Sequence, residues 1–370
     1  AAQIFTFHTS CSRGCSSLGS LVEVTMLLTL LSTASAATRT ADSLMLSAVL
    51  EPSSGTILLQ PRQPTFTGWM RDEAAWASYN DSAYLATGWA RLEVHTNPDV
   101  EDSTAALAAG MLEGSLTSVR IHQSAVNSGF GPAYMLPKNI SAFVDANADF
   151  IAMMGATAKH STQADRAYWH QISLVYTQLQ GIHLGYMQAA QVPSALPPLS
   201  LNTILAMNMG DELGNFAGYS PGDGVERTLP KFGDLQPFLD AGKCSALIKL
   251  LADGSDILIA QETWSSLESQ LRVYKMYNFP YTLTGQPGSS RVPAKRVSFP
   301  SYPAAIASGD DFYTLSTGAH TMEPQHAHMD ICTYAHMHTL SRRVRTRWSL
   351  CLLSPWHGMV WHGMVWCDVV

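Results

Sequence analysis

A chain of 370 residues with 46% hydrophobic and 14% charged side chains can bury the core of one large domain or of two. Its formal net charge of −7 argues against a nucleic-acid partner, which a basic surface would attract. No uninterrupted apolar run reaches the roughly 18 residues of a membrane-spanning helix, so the sequence predicts no transmembrane segment.

The N-terminal region predicts a leader rather than folded structure. Residues 1–25 show no hydrophobic periodicity, and we interpret them as untranslated or misassigned sequence ahead of the true start. The apolar run at 26–31, followed by the small residues Ala34 and Ala36, predicts a signal peptide over 26–36. A buried N-terminal helix is the alternative for this run.

A signal peptide implies the secretory pathway, where two triplets gain a meaning. Asn80 begins Asn-Asp-Ser and Asn139 begins Asn-Ile-Ser. We therefore predict both asparagines as N-glycosylation acceptors.

The first half of the chain predicts a strand and then helices. Residues 89–95 alternate between apolar and polar types, as in a half-buried strand. Apolar residues spaced three and four apart predict helices over 104–126, 142–154 and 166–190. His170 and His183 fall in the last of these, and we interpret them as packing residues rather than catalysts.

A Gly- and Pro-rich segment at 214–231 predicts a surface loop. It contains Gly-Tyr-Ser-Pro-Gly at 218–222, which formally matches the nucleophile elbow of serine hydrolases. That elbow needs a backbone N–H on the residue after the serine, and Pro221 has none. We therefore interpret the segment as a turn.

Cys244 is the only cysteine between residues 37 and 318. An unpaired thiol in a secreted protein suggests a functional group, although a buried apolar packing role is the alternative. The apolar run from Cys244 predicts a strand, 252–255 a hairpin turn and 256–261 the returning strand.

Beyond this hairpin the pattern predicts one more helix and three strands. Ser265 and Glu268 match a capping box, and we predict a helix over 263–277. We expect Trp264, Leu267, Leu271 and Tyr274 to form its buried face. The strands are predicted around 281–283, 296–299 and 312–315.

The character of the chain changes after Gly318. Histidines cluster there, and Trp-His-Gly-Met-Val occurs twice in succession from residue 356. His326, His328 and Cys332 could form a metal site, because these residue types bind zinc. No strand or helix pattern persists, however, and we interpret 319–370 as an aberrant tail of low order.

Several short motifs occur in a fixed order along the chain. The stretch Cys-Ser-Ala-Leu-Ile-Lys at 244–249 is followed by Thr-Trp at 263–264, and further blocks lie at 88–89, 108–114, 168–171, 181–186, 271–275, 301–303 and 310–313. With these blocks the chain resembles the phospholipase B-like family, whose members are lysosomal or secreted hydrolases, over roughly residues 67–318.

The resemblance implies an α+β fold of the four-layer αββα type found in N-terminal nucleophile hydrolases, incomplete at its C-terminus. It assigns 37–318 to the hydrolase domain, with self-cleavage between Lys243 and Cys244. The freed α-amine of Cys244, with an ordinary pKa near 8, would act as general base for the Cys244 thiol. No cofactor and no metal are implied.

The same resemblance implies that Gln261, Glu262, Thr263 and Trp264 accompany Cys244 in the active site. The position of Gln261 is usually histidine in the family, and glutamine cannot take up a proton at neutral pH. The implied substrate is an ester or amide bond, in a lipid or an N-acyl amide. A catalytically inactive secreted protein that keeps only a binding role is the alternative, and the oligomeric state stays open.

Overall fold

The computed structural model shows a chain that combines helices with a mixed β-sheet, and the predicted α+β class is confirmed for the part it describes. The described residues are 43–132, 134–190, 196–209, 244–251, 253–262, 267–310, 312–318, 320–322 and 327–330.

The secondary structure runs from short N-terminal strands through a block of helices to a second set of strands. The described strands are β1 (Leu44–Leu50), β2 (Ile57–Pro61), β3 (Glu73–Asn80), β4 (Trp89–Thr96), β5 (Cys244–Leu250), β6 (Ile257–Glu262), β7 (Arg272–Asn278), β8 (Arg296–Ser301), β9 (Phe312–Leu315), β10 (His320–Met322) and β11 (Ala327–Asp330). The described helices are α1 (Tyr84–Thr87), α2 (Asp102–Leu116), α3 (Ser118–Asn127), α4 (Lys138–Ala158), α5 (Gln163–Ala190) and α6 (Leu201–Asn208).

Eight of the described strands form one sheet, which we call the large sheet, in the order β10-β9-β8-β7-β4-β3-β1-β2. All its neighbouring strands are antiparallel except β4 and β7, which run parallel with Trp89 opposite Arg272 and His95 opposite Asn278. The chain leaves the large sheet after β4 and returns at β7. The intervening helices and the hairpin of β5 and β6 therefore lie in the connection between the two central strands, whereas β11, which pairs with β5, follows β10.

One face of the large sheet is buried under α2. Alternation along β4 places Ala90, Leu92 and Val94 on this face, each no more than 2% exposed. They pack in one apolar cluster with Ala108 and Leu112 of α2. Burying a leucine side chain of this kind contributes about 1.5–3 kcal/mol, so this layer contributes heavily to the stability of the described fold.

Helices α2 and α5 pack with their backbones in close contact because each carries two glycines four residues apart. A Cβ atom added to Gly114 would lie 2.0 Å from the carbonyl oxygen of Ile182, and one added to Gly185 would lie 2.0 Å from that of Met111. Gly110 and Gly181 are equally crowded, so no larger residue fits at the crossing without separating the helices.

A buried charge pair joins α2 to the large sheet. Lys275 Nζ donates to Glu113 Oε1 at 2.6 Å, and the Tyr277 hydroxyl donates to Glu113 Oε2 at 2.6 Å. Lys275 and Glu113 are both 0% exposed. Burial lowers the pKa of Lys275, although the neighbouring Glu113 carboxylate opposes this shift. Each charge depends on the other, because a buried ion without its partner is costly.

The helix predicted over 263–277 is wrong. The described part of this segment holds a short 3-10 helix at Leu267–Ser269 and then strand β7. Residues in β7 alternate in burial, with Val273, Lys275 and Tyr277 inside, which is a period of two rather than 3.6. Leu267 is 86% exposed and Tyr274 is 42% exposed, so neither belongs to a buried helix face.

Most of the other predicted elements are confirmed, and two differ from the structure in detail. The strands near 89–95, 296–299 and 312–315 and the helix over 166–190 are present. The helix predicted over 104–126 is instead two helices, α2 and α3, separated at Thr117, whose hydroxyl bonds the carbonyl of Glu113 at 2.7 Å. The strand predicted at 281–283 is reduced to one bridge between Thr282 and Arg291.

Two short strands, β10 and β11, lie beyond Gly318, where the sequence predicted no strand pattern. The predicted signal peptide, the turn at 218–222 and residues 331–370 lie outside the described residues. In the described parts of the chain, no helix combines the length and the apolar character needed to cross a membrane.

Candidate active site

The hairpin predicted after Cys244 is present. Strands β5 and β6 pair antiparallel from Ser245 opposite Glu262 to Leu250 opposite Ile257. Asp253 holds the turn, because its Oδ1 accepts hydrogen bonds from the Ser255 amide at 3.0 Å and the Ser255 hydroxyl at 2.7 Å. Gly254 supplies the positive φ of 70° that this tight turn needs.

The register of the hairpin decides which candidate positions share a face of the sheet. Residues directly opposite each other in an antiparallel pair lie on the same face, and positions two apart along a strand do too. Ala246 is opposite Gln261, so Cys244, Ala246 and Gln261 occupy one face. Ser245 and Glu262 occupy the other face, which separates Glu262 from the position of Cys244.

Strand β5 is the central strand of the second sheet, which we call the small sheet, with the order β11-β5-β6. Strand β11 runs parallel to β5 with Ala327 opposite Cys244 and His328 opposite Ser245. Cys244 therefore begins a strand that has a described neighbour on each side. Cys244 itself is paired with Ala327 of β11, and the pairing with β6 begins one residue later, at Ser245.

The remaining sequence candidates are placed only in part. Lys243, Thr263 and Trp264 lie outside the described residues. The predicted cleft at Cys244, lined by Gln261, Thr263 or Trp264, therefore stays a prediction.

The predicted glycosylation acceptors lie in different settings. Asn80 ends β3 and is partly buried, and its Oδ1 accepts hydrogen bonds from the Ser82 amide at 2.9 Å and the Ser82 hydroxyl at 2.7 Å. Asn139 lies in the first turn of α4 and is also partly buried. Modification of either asparagine stays a prediction.

His170 lies in a polar cluster that joins α2, α5 and a loop. Its Nε2 lies 2.9 Å from Asp102 Oδ2, which also accepts from the Thr282 amide at 2.9 Å and the Thr282 hydroxyl at 2.6 Å. Burial raises the pKa of Asp102, but hydrogen bonds from His170 and Thr282 outweigh it and leave the pKa lowered. His183 is partly buried, and burial lowers its pKa.

A second polar cluster lies on the large sheet and was not predicted from the sequence. His95 Nε2 lies 2.8 Å from Glu93 Oε1, and Asn278 Nδ2 lies 3.1 Å from His95 Nδ1. The amide can only donate to Nδ1, so the network places the ring proton on Nε2, where it bonds the carboxylate. The hydrogen bond from His95 lowers the pKa of Glu93. Period-two alternation in β4 was the available signal, because it puts Glu93 and His95 on one face.

Of the histidines beyond Gly318, only His320 and His328 lie in described residues, each in a strand. His328 lies in β11, whereas His326 and Cys332 fall outside the described residues. Within the described parts of the chain, no three His, Cys, Asp or Glu side chains converge as a metal site would require.

Comparison with known proteins places these features in a family. The family model described as phospholipase B matches residues 75–364. A protein of Mus musculus with the provisional name phospholipase B-like 2 is 31% identical over 283 residues, covering 75% of this chain and 44% of its own length. Its counterpart in Bos taurus is 32% identical over 284 residues with the same coverage. Phospholipase B-like protein B of Dictyostelium discoideum is 33% identical over 239 residues, covering 63% of this chain and 39% of its own length. The chain thus spans less than half the length of these relatives.

Proposed function

Because the chain belongs to the phospholipase B family, we propose that it is a secreted or lysosomal hydrolase whose nucleophile is Cys244. The substrate would be an ester or amide bond in a lipid or an N-acyl amide. The observation that carries the proposal is the position of Cys244 as the first residue of β5, on the same face of the small sheet as Gln261.

The proposed mechanism begins with cleavage of the chain itself. The Cys244 thiol attacks the carbonyl carbon of Lys243, the C–N bond breaks, and Lys243 is left as a thioester on sulfur. Water then hydrolyses the thioester and releases the Lys243 carboxylate, so that Cys244 keeps its thiol and gains a free α-amine. Since an α-amine has a pKa of about 8, it can act as general base for the neighbouring thiol.

Substrate hydrolysis would repeat the same two steps. The thiol forms an acyl-enzyme with the carbonyl carbon of the substrate and expels the alcohol or amine, and water releases the acid. Gln261 shares the face of Cys244 and carries an amide N–H that can donate to the developing oxyanion. It cannot act as a base, so in this proposal the α-amine takes that role alone.

Glu262, Thr263 and Trp264 complete the proposed site with different roles. The hairpin register puts Glu262 on the face away from Cys244, so we assign it to holding the end of β6 rather than to contact with substrate. Thr263 would supply a hydroxyl donor, and Trp264 an apolar wall for an acyl chain.

The large and small sheets would be the two central layers of the four-layer αββα fold. The packing of α2 on the large sheet supports the assignment of one outer helical layer. The hydrolase domain would extend over 37–318, after a signal peptide at 26–36, with Asn80 and Asn139 as glycosylation acceptors.

Self-cleavage is the sharpest test of this proposal. Full-length protein from a secretory expression host should be incubated at acidic pH and separated under denaturing conditions. We expect two fragments, and N-terminal sequencing of the second should begin Cys-Ser-Ala-Leu. Cys244→Ala should remain one chain and lose hydrolysis of an acyl ester probe.

The neighbouring residue provides a matched control. Ser245→Ala removes a hydroxyl one position away, on the opposite face of β5, and should leave cleavage unchanged. An intact chain in every variant, with wild-type protein that folds and does not hydrolyse the probe, would contradict the proposal. That result favours the alternative of an inactive secreted binding protein, to which the glutamine at 261 already points.

A further inference from the structure

A cavity of about 580 Å³ lies between the end of α4, the start of α5 and the loop that follows Leu283. It is open to solvent on one side, and its volume falls within the range of small-molecule sites. Its lining includes Lys159, Arg166, Thr284, Ser289 and Ser290.

The charge of the lining is entirely positive. Lys159 and Arg166 are its only ionisable residues, and no carboxylate is among the described residues that line it. Neither cation forms an ion pair with any carboxylate in the described parts of the chain. The net charge of the chain is −7, so two cations that line one cavity without a carboxylate partner among the described residues create a local preference for an anion.

The two cations are presented differently. Lys159 is exposed at the end of α4, whereas Arg166 is partly buried in the first turn of α5. The Arg166 Nη1 donates to the carbonyl of Ser161, which restrains the guanidinium, and within the described parts of the chain its other N–H groups are left for a ligand.

The opposite wall of the cavity is held in place by hydrogen bonds. Gln171 Nε2 donates to the Thr282 carbonyl at 2.9 Å and to the Leu283 carbonyl at 3.3 Å. The Thr284 amide donates to the Ser289 hydroxyl at 3.1 Å, which closes the loop on itself. Because Asp102 also binds Thr282, the loop is anchored to both α2 and α5 before any ligand arrives.

We propose that this cavity binds the phosphate group of an anionic ligand. A guanidinium and an ammonium, together with the hydroxyls of Thr284 and Ser290, suit the charged acceptor oxygens of phosphate better than they suit a neutral sugar or an apolar chain. A soluble phosphate monoester and the headgroup of a phospholipid share this chemistry. The site uses no residue of the proposed catalytic hairpin, so it does not depend on the nucleophile being Cys244.

Titration calorimetry on the full chain at constant ionic strength tests the proposal. Each chain should bind one molecule of glycerol 3-phosphate. Titration of sodium chloride at equal ionic strength should give no heat beyond that of dilution. We expect Lys159→Gln and Arg166→Gln each to weaken binding by about tenfold or more, since a charge-assisted hydrogen bond is lost. Arg71→Gln removes the same charge from a side chain that is 93% exposed and does not line the cavity, and it should bind like wild type.

Vesicles distinguish the two sources of phosphate. A lipid headgroup would be identified if the chain sediments with phosphatidic acid vesicles in preference to phosphatidylcholine vesicles, and if the double variant with Lys159→Gln and Arg166→Gln loses this preference. Binding of the soluble ester alone would identify a small phosphate ester. Absence of binding to either, or equal binding by wild type and the double variant, would overturn the proposal. The Cys244→Ala protein should bind as wild type does, which separates this result from any failure of the proposed catalysis.

Discussion

The large sheet and the small sheet differ in how much structure encloses them. Leu92 of β4 is 2% exposed and has α2 packed over it, whereas Leu258 of β6 is 50% exposed and Leu250 of β5 is 48% exposed. Among the described residues, the centre of the large sheet is therefore covered on one face by α2, whereas these two leucines of the small sheet are half-exposed.

This difference separates stability from the proposed chemistry. The large sheet and the helices α2 and α5 contain the buried ion pair and the crowded glycines, while the small sheet carries Cys244 and Gln261. We therefore expect substitutions in the first region to change the free energy of unfolding strongly, and substitutions in the second to change activity with little effect on stability.

The largest effect is expected at the buried pair under the large sheet. Lys275→Met leaves the Glu113 carboxylate buried without its cation and should lower the free energy of unfolding by about 3–5 kcal/mol. Urea denaturation measures this. Combining it with Glu113→Leu should recover most of the loss, because neither charge then remains buried. A single variant as stable as wild type would show that the pair is dispensable to the core.

Equivalent leucines in the two sheets give the most direct comparison. Leu92→Ala should cost about 2–5 kcal/mol because it empties a fully buried site. Leu258→Ala removes the same atoms from a half-exposed site and should cost less than about 1 kcal/mol. Equal losses in urea denaturation would mean that the small sheet is covered as completely as the large one.

A smaller loss is expected at the helix crossing. Gly185→Ala inserts a Cβ where the Met111 carbonyl oxygen would be 2.0 Å away, so α2 and α5 must separate. We expect a loss of about 1–3 kcal/mol, read as a lower thermal midpoint. Gly131→Ala is the matched control, since the nearest atom to its added Cβ is 3.7 Å away. Equal thermal midpoints for the Gly185→Ala and Gly131→Ala variants would show that α2 and α5 do not pack closely at Gly185.

The smallest expected effect depends on pH. The pKa of Asp102 is lowered in the folded protein, so its contribution to stability is present above the ordinary carboxyl pKa and is lost as pH falls through the folded pKa. Asp102→Asn should therefore cost about 1–2 kcal/mol at neutral pH, where charged hydrogen bonds are removed. The difference in the free energy of unfolding between variant and wild type should become smaller below about pH 4. Urea denaturation at neutral pH and at that acidic pH measures it. A pH-independent difference would contradict the assigned role of the carboxylate.

The sequence predicted the small sheet better than the connection that follows it. The hairpin of β5 and β6 could be predicted because Asp253 and Gly254 mark a turn between two apolar runs. The helix prediction for the segment after Glu262 was wrong, because Leu267, Leu271 and Tyr274 have the spacing of residues on one face of a helix. Strand β7 is selected instead by its place between β4 and β8, a long-range pairing that local spacing does not encode.

The polar clusters were also beyond reach of the sequence. Asp102 and Thr282 meet only because α2 and a loop 180 residues further on close on each other. Glu113 and Lys275 are similarly far apart in the sequence, and from the sequence alone each would be interpreted as a charged surface residue. Local patterns identify elements, whereas these contacts depend on how the elements pack.

The parallel pairing of β4 with β7 has a consequence for the fate of a cut chain. A break between residues 243 and 244 would leave β4 in one piece and β7 in the other, with seven residue pairs still bridging them from Trp89 and Arg272 onward. Lys275 would remain bonded to Glu113 across the same boundary. The products would thus be a split protein, a heterodimer sharing one continuous sheet, and native chromatography would show a single species where denaturing electrophoresis shows two.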